Sequence, residues 1–216
     1  LTEKIRELPV YAEGQASLMP WDYQGMNDAL VRAYDILAER YPFVSSLQVG
    51  TKPVYFSSLM SYTKITGVYM CLTGEANVNT SYPDYSTVFT AAHEMAHQRG
   101  IARENEANFV AFLACTESEE PYLRYAGYLN MLQYVSNALY QTDKNKSMEI
   151  WNVCDPSVFW EYAAYNDVFD AYDKGPAGDI AEAVNDTYLQ VMGTGGTVEY
   201  GLVVNLAVSY YQNQIR

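Results

Sequence analysis

The sequence predicts an α+β fold in which a small β-sheet precedes a mostly helical body. Its 216 residues suit a single domain, and 49% of them are hydrophobic, which is enough for a substantial core. Short runs rich in β-branched and aromatic residues lie between turn residues before residue 80. Apolar residues at helical spacing dominate the rest. We therefore expect one domain over 1–216, with a helix and the sheet in about 1–85 and helices in 86–216.

The first predicted elements are a helix and three strand segments. Residues 22–41 carry apolar side chains at helical spacing, and Asp22 is the expected N-cap. The runs 52–58 and 67–72 are short and β-rich, so both are predicted to be strands. Residues 73–79 alternate more weakly and are predicted to form a strand at the edge of the sheet.

The helical body is predicted to begin with a helix that Ser86 caps. This helix runs from about Thr87 to Arg99, and Gly100 then supplies the left-handed residue that ends it. A second helix starts near Arg103. Further helices share the same apolar periodicity and are predicted over residues 121–141, 156–172, 179–192 and 199–214, with a loop at 193–196.

The composition excludes some classes of function. A formal net charge of −13 argues against binding to nucleic acid and against electrostatic adhesion to anionic lipid. No apolar run approaches the roughly 18 residues that a membrane-spanning helix needs. We therefore expect this chain itself to be soluble.

The most informative segment is His93-Glu94-Met95-Ala96-His97, which holds the only two histidines of the chain. Residues i and i+4 share one face of a helix, so both imidazoles can reach one metal ion. This HExxH pattern is typical of zinc peptidases, in which zinc lowers the pKa of its bound water to about 7 and the glutamate takes the proton of that water. The sequence thus predicts Zn²⁺ on both histidines and Glu94 as general base.

A catalytic zinc ion usually has a third protein ligand, and no third histidine exists here. The nearest carboxylates are Glu104 and Glu106, which lie about 200° apart on a helix, so at most one of them can face the metal. Glu104 is preferred because Asn108 follows it at i+4 and can orient a metal ligand through a hydrogen bond. Glu106 stays as the second choice.

These motifs resemble those of known metallopeptidases. The segment ENEAN at 104–108 resembles the ExxxD or ExxxN helix of the gluzincins, which implies Glu104 as the zinc ligand and Asn108 at the second motif position. The spacing departs from most gluzincins, because only six residues separate His97 from Glu104. The segment at 93–103 is also similar to the metzincin pattern, but Arg103 stands where the third histidine belongs, and arginine cannot ligate zinc.

A longer stretch, from about 50 to 140, resembles the bacterial domain of unknown function 3810 (DUF3810) family. The shared segments are TGEANVN at 73–79, HEMAHQRGIARENEANFVAFLAC at 93–115 and RYAGYL at 124–129, with a weaker match of EYGLVVNL at 199–206. The resemblance implies a zinc-dependent, metallopeptidase-like domain with a zincin-like body and the HExxH helix central. Members typically carry transmembrane helices before this domain, so we expect a membrane-anchored full-length protein with this domain outside the cytoplasm.

A peptidase also needs a hydrogen-bond donor for the developing oxyanion. Arg124, Tyr125 and Tyr200 are the candidates, because no histidine is left over. Residues 74–79 are the candidate strand edge to which a peptide or protein substrate would add. The alternative function is a non-catalytic zinc-binding, sensor or scaffold module that retains the site. Glu94 favours catalysis, because a structural zinc site has no use for a general base.

Overall fold

The computed structural model describes residues 14–172 and 197–214. These residues form the predicted α+β fold, with one three-stranded sheet and a larger set of helices. In chain order the elements are α1 (Tyr23–Arg40), β1 (Lys52–Pro53), α2 (Ser57–Ser61), β2 (Gly67–Met70), β3 (Glu75–Val78), α3 (Asp84–Gln98), α4 (Glu104–Thr116), α5 (Pro121–Thr142), α6 (Lys144–Val153), α7 (Pro156–Tyr172) and α8 (Thr197–Gln214). The helix predicted at 179–192 and the loop at 193–196 lie outside the described residues.

Local sequence signals set most helix boundaries correctly. Asp22 caps α1 as predicted, since its Oδ1 accepts the backbone N–H of Gly25 at 2.8 Å. Gly100 follows α3 with a φ of +91°, the left-handed conformation that glycine adopts without strain. Helices α4, α5 and α7 begin within one residue of their predicted starts, whereas α2 and α6 were not predicted.

The predicted helix cap at Ser86 is wrong. Helix α3 begins at Asp84, directly after Pro83, and Ser86 is buried within its first turn. The carbonyl of Pro83 accepts the backbone N–H groups of Ser86 and Thr87 at 3.0 and 2.9 Å, so the first turn already forms upstream of Ser86. The proline ring fixes φ and suits the entry to a helix.

The sheet has the strand order β1-β3-β2. Strand β1 pairs with β3 in parallel, and β2 pairs with it antiparallel, with Gly67 opposite Val78. The edge strand predicted over 73–79 is therefore wrong, because β3 is the central strand. Strand β3 is central because β1, more than twenty residues earlier in the chain, pairs with its second edge. The alternation of residues within 73–79 cannot reveal such a distant partner.

The strand predicted over 52–58 is correct only at its start. Strand β1 ends at Pro53, and Ser57 already begins α2. The Ser57 hydroxyl donates to the carbonyl of Val54 at 2.8 Å and closes a turn, which takes the chain away from the sheet. Strand β2 occupies most of the predicted run 67–72 and ends at Met70.

Helix α3 is largely enclosed by the other described elements. It packs against α4 and α5 and also contacts β2 and β3. Most of its side chains are buried, including Val88, Ala92, Met95 and Ala96 at full burial. The HExxH residues thus lie on a buried central helix between the sheet and the helical body. Within the described parts of the chain, none of the helices has the length and apolar character needed to span a membrane.

Candidate metal centre

A tight turn brings the start of α4 back onto the face of α3 that carries the histidines. Gly100 donates its backbone N–H to the carbonyl of His97 at 3.0 Å, and Ile101 donates to the carbonyl of Ala96 at 3.2 Å. These bonds satisfy carbonyls at the end of α3 and fix the direction in which the chain leaves it. Glu104 is the first residue of α4 and therefore faces the histidine pair.

Four electron-pair donors converge at this turn. The Nε2 atoms of His93 and His97 lie 3.0 Å apart. Glu104 Oε2 lies 3.0 Å from His93 Nε2, and its Oε1 lies 3.4 Å from His97 Nε2. Ligand atoms bonded tetrahedrally to zinc at about 2.0–2.1 Å lie about 3.3–3.4 Å from one another. The three side chains therefore fit a zinc ion, and they form a group able to hold a metal.

Each imidazole is held by its other ring nitrogen. His97 Nδ1 lies 2.7 Å from the carbonyl oxygen of Ile101, and a carbonyl only accepts, so Nδ1 carries the hydrogen and Nε2 presents its lone pair to the cluster. His93 Nδ1 lies 2.9 Å from Asn108 Oδ1, which also accepts the hydroxyl of Tyr134 at 3.3 Å. Metal-binding histidines typically make such bonds to an oxygen acceptor, which fix the ring and its tautomer.

The charges in the cluster are strongly coupled. Burial opposes ionisation of Glu104, but hydrogen bonds with His93 and His97 outweigh it and hold the pKa of this carboxyl well below its usual range. Burial likewise opposes the charged form of His93, yet the hydrogen bond to Glu104 and the charge of Glu94 raise the pKa of this imidazole. The cluster therefore favours a positive charge at its centre, supplied either by a proton or by a metal ion.

Glu94 lies beside the cluster in a different environment. Its side chain is 4% exposed, and burial raises its pKa to about 7 against the opposing effect of the two histidines. Its Oε2 has no hydrogen-bond partner among the described residues. A carboxyl group of this kind can take up and release a proton near neutral pH.

Strand β2 approaches Glu94 so closely that only glycine fits at position 67. A Cβ on Gly67 would lie 2.5 Å from Glu94 Oε1 and 2.7 Å from Thr90 Cγ2. The backbone of β2 thus covers the catalytic candidate on its sheet side. Nothing in the sequence singles out Gly67 as a site residue, because a glycine at the start of a strand does not by itself reveal what packs against it.

A cavity of about 390 Å³ opens beside the cluster. His93, Glu94, Glu104 and Asn108 contribute to its wall at the metal end, and residues of α5 and β2 contribute to the walls around them. The Tyr69 ring of β2 stacks on His97, with ring centroids 6.1 Å apart and planes 17° apart. Strand β2 pairs with β3 on one side, and no described strand lies on its other side. The open strand edge near the site is therefore β2, not residues 74–79.

The structure does not bring every sequence candidate to the cluster. Glu106 points away, with its Oε1 3.6 Å from Arg103 Nη1 and 46% of its side chain exposed. The Tyr125 hydroxyl donates to Glu161 Oε1 at 3.0 Å in a separate buried cluster. Neither Tyr125 nor Arg124 lines the cavity in the described part of the chain. The side chain of Tyr200 lies outside the described residues.

Tyr134 of α5 does line the cavity, although it is not among the residues that the sequence predicts for the site. No sequence signal separates it from the other tyrosines of the chain, of which there are 21 in all. Asn108 lies 26 residues before Tyr134 in the sequence, and the two residues meet only because α5 packs against α4.

Comparison with known families identifies the chain. The family model described as "Protein of unknown function (DUF3810)" matches residues 1–208, so the chain belongs to the DUF3810 family. Comparisons with the curated proteins and with the solved structures give no match.

Proposed function

We propose that this member of the DUF3810 family is a zinc-dependent peptidase, in which His93, His97 and Glu104 hold the metal ion and Glu94 is the general base. One observation carries the proposal. Two imidazole nitrogens and a carboxylate converge within 3.0–3.4 Å of one another, at the wall of a cavity that a buried carboxylate shares.

The roles of the residues follow from their contacts. Zinc, when bound, acts as a Lewis acid that lowers the pKa of a coordinated water and polarises the scissile carbonyl. Glu94 takes the proton of the attacking water on its carboxylate and later returns it to the leaving amine. In the metal-free protein, burial raises its pKa to about 7, so this carboxyl is able to hold and release a proton near neutral pH. Oε2, which has no hydrogen-bond partner among the described residues, is the atom that can accept the proton.

Two neighbours keep the imidazoles in place during this reaction. The Ile101 carbonyl fixes His97, and Asn108 fixes His93. Tyr134 lines the cavity, and we assign it to the developing oxyanion in place of the candidates from the sequence. Its hydroxyl donates its one hydrogen to Asn108 Oδ1 at 3.3 Å, so in this role it would turn from Asn108 to the substrate oxygen.

The substrate class in this proposal is a peptide or protein in an extended conformation. On the side of β2 that faces away from β3, no strand pairs with it among the described residues, so this edge offers backbone hydrogen-bonding groups for an added strand. Tyr69 on this strand stacks against His97, so a peptide paired with β2 would run beside the metal ligands. Because residue 67 of β2 is glycine, no side chain lies between the backbone of β2 and Glu94.

A purely structural zinc site is less well supported. The three ligands all lie between His93 and Glu104, a short segment that the Gly100 turn already fixes. A metal that cross-links such a short segment adds little stability. The reason is that a cross-link stabilises the fold by lowering the entropy of the unfolded chain, and this effect grows with the length of the closed loop. A structural site also gives no reason to bury Glu94 with an unpaired oxygen.

The decisive experiment compares wild-type protein with Glu94→Gln. Both are supplied with zinc, analysed for bound metal and incubated with a broad peptide library. We expect equal zinc content and cleavage by the wild type alone, because glutamine is nearly isosteric with glutamate but cannot accept the proton. Equal cleavage by both would contradict the mechanism. Bound zinc without cleavage by either would favour the non-catalytic module.

We also propose that the full-length protein is anchored in a membrane, with this domain on the extracytoplasmic side. The support is the resemblance to the DUF3810 family, whose members typically carry transmembrane helices before this domain. Fractionation of bacteria that express the tagged full-length protein tests the anchoring, and protease treatment of spheroplasts tests the side. Tagged protein in the soluble fraction, or protected from added protease, would contradict this placement.

A further inference from the structure

Helix α5 presents a row of uncharged polar side chains to the cavity beside the metal cluster. Asn130, Tyr134 and Asn137 follow one another at intervals of four and three residues, and Gln133 precedes Tyr134, so the four lie on one side of the helix and all line the cavity. We infer that this row, called here the carboxamide row, selects peptides with an uncharged hydrogen-bonding side chain next to the bond that is cleaved. The preferred side chains are carboxamides and hydroxyls. The inference rests on the proposed peptidase function.

The row is connected to the metal end of the cavity. The Tyr134 hydroxyl donates to Asn108 Oδ1 at 3.3 Å, and the same oxygen lies 2.9 Å from His93 Nδ1. Only Asn108 therefore stands between a member of the row and a proposed metal ligand. A substrate side chain that reaches the row belongs to a residue close to the reacting carbonyl.

The composition of α5 is unusual for a helix face that only contacts water. Residues 121–142 contain a single charged residue, Arg124, which does not line the cavity. Exposed helix positions favour glutamate and lysine, which form helices better than asparagine does. Yet Gln133 and Asn137 are exposed and uncharged. Solvation of the helix alone does not explain this choice of side chains.

Uncharged side chains are suited to this position for two reasons. A carboxamide both donates and accepts hydrogen bonds, so it can pair with an amide or a hydroxyl of a substrate. It also adds no charge beside Glu94 and Glu104, which line the same cavity. A lysine in the row would compete with the metal for Glu104, and a glutamate would raise the negative charge at the site further.

A lysine in the cavity wall suggests a different selectivity. Lys64 also lines the cavity, with its ammonium 4.4 Å from the centre of the Phe169 ring. If Lys64 governed selection, peptides with acidic side chains would bind best. The test therefore includes acidic peptides beside the neutral ones.

The test measures binding rather than turnover. Zinc-loaded Glu94→Gln protein is titrated with fluorescent peptides that carry Gln, Asn, Ser, Thr, Leu, Phe, Glu or Lys at one scanned position. At one position we expect Gln and Asn to bind about tenfold more tightly than Leu, because two hydrogen bonds are lost with an apolar side chain. Adding Asn130→Leu and Asn137→Leu should remove this preference.

The control is Gln141→Leu in the same Glu94→Gln background. Gln141 is an exposed carboxamide of α5 that does not line the cavity, so its replacement should leave the preference intact. Circular dichroism and zinc content check that each variant is folded and loaded. If the double variant does not fold, Gln133→Met, at an exposed position, makes the same comparison.

Several outcomes would overturn the inference. One is that the peptides with Leu, Phe or Glu bind most tightly at every scanned position. Another is that the row variants keep the same preference, and a third is that no peptide binds measurably. The outcomes also separate this inference from the peptidase proposal. Selective binding of carboxamide peptides without cleavage by the wild type would contradict hydrolysis alone. Zinc-dependent cleavage next to apolar residues would contradict the selectivity alone.

Discussion

Glu104 Oε2 lies 3.0 Å from His93 Nε2, although a helix end and a turn separate the two residues in the chain. The contact arises because the left-handed Gly100 reverses the chain and α4 starts at Glu104. It places Glu104 beside the histidines while Glu106 faces Arg103, and the first prediction rests on this difference.

Glu104→Gln should weaken zinc binding by more than about 100-fold, since loss of a direct ligand costs more than the roughly 10–100-fold typical of residues behind the ligands. Glu106→Gln is the matched control and should change the zinc affinity little, because Glu106 faces Arg103. Competition with a chromophoric chelator measures both affinities. The opposite order would mean that the other face of α4 holds the metal.

Zinc affinity should fall as the pH falls. A metal ion needs the neutral imidazole, and in the metal-free protein the pKa of His93 is raised, so protons compete with zinc from a higher pH than at a free histidine. Below that pKa the apparent affinity should drop by about tenfold per pH unit for each proton displaced. Zinc titrations between pH 5 and 8 measure this slope. An affinity that stays constant over this range would contradict the coupling.

Gly67→Ala should destabilise the protein and reduce its activity. A methyl group would lie 2.5 Å from Glu94 Oε1, so either the strand or the carboxylate must move. We expect a loss of about 1–3 kcal/mol in the free energy of unfolding, as for other overpacked sites. Gly201→Ala in α8 is the control, because nothing lies within 4 Å of its Cβ position, and it should be neutral or stabilising by up to about 1 kcal/mol. Denaturant titration of both variants checks the difference.

Tyr134→Phe should lower kcat by about 10²–10³-fold and leave zinc affinity largely unchanged, if its hydroxyl stabilises the oxyanion. Tyr125→Phe is the contrasting variant. It removes a hydrogen bond to the buried Glu161, so it should cost about 1–3 kcal/mol of stability but keep kcat. Steady-state kinetics and thermal unfolding separate the two effects. A normal kcat for Tyr134→Phe would exclude the proposed role.

Local signals in the sequence were sufficient for part of the fold. Apolar periodicity placed α1, α4, α5 and α7, and Asp22 and Gly100 marked helix ends, because caps and turns depend on residues a few positions apart. The i, i+4 spacing of His93 and His97 likewise puts both rings on one face of a helix before any tertiary contact forms.

Tertiary structure decided what depends on residues far apart in the chain. The pairing of β1 with β3 made residues 75–78 the central strand, and the approach of β2 to Glu94 made glycine necessary at position 67. The packing of α5 against α4 placed Tyr134 beside Asn108 and the carboxamide row at the cavity. Such contacts leave no periodic trace in the sequence, because they are fixed by how whole elements pack and not by the conformation of neighbouring residues.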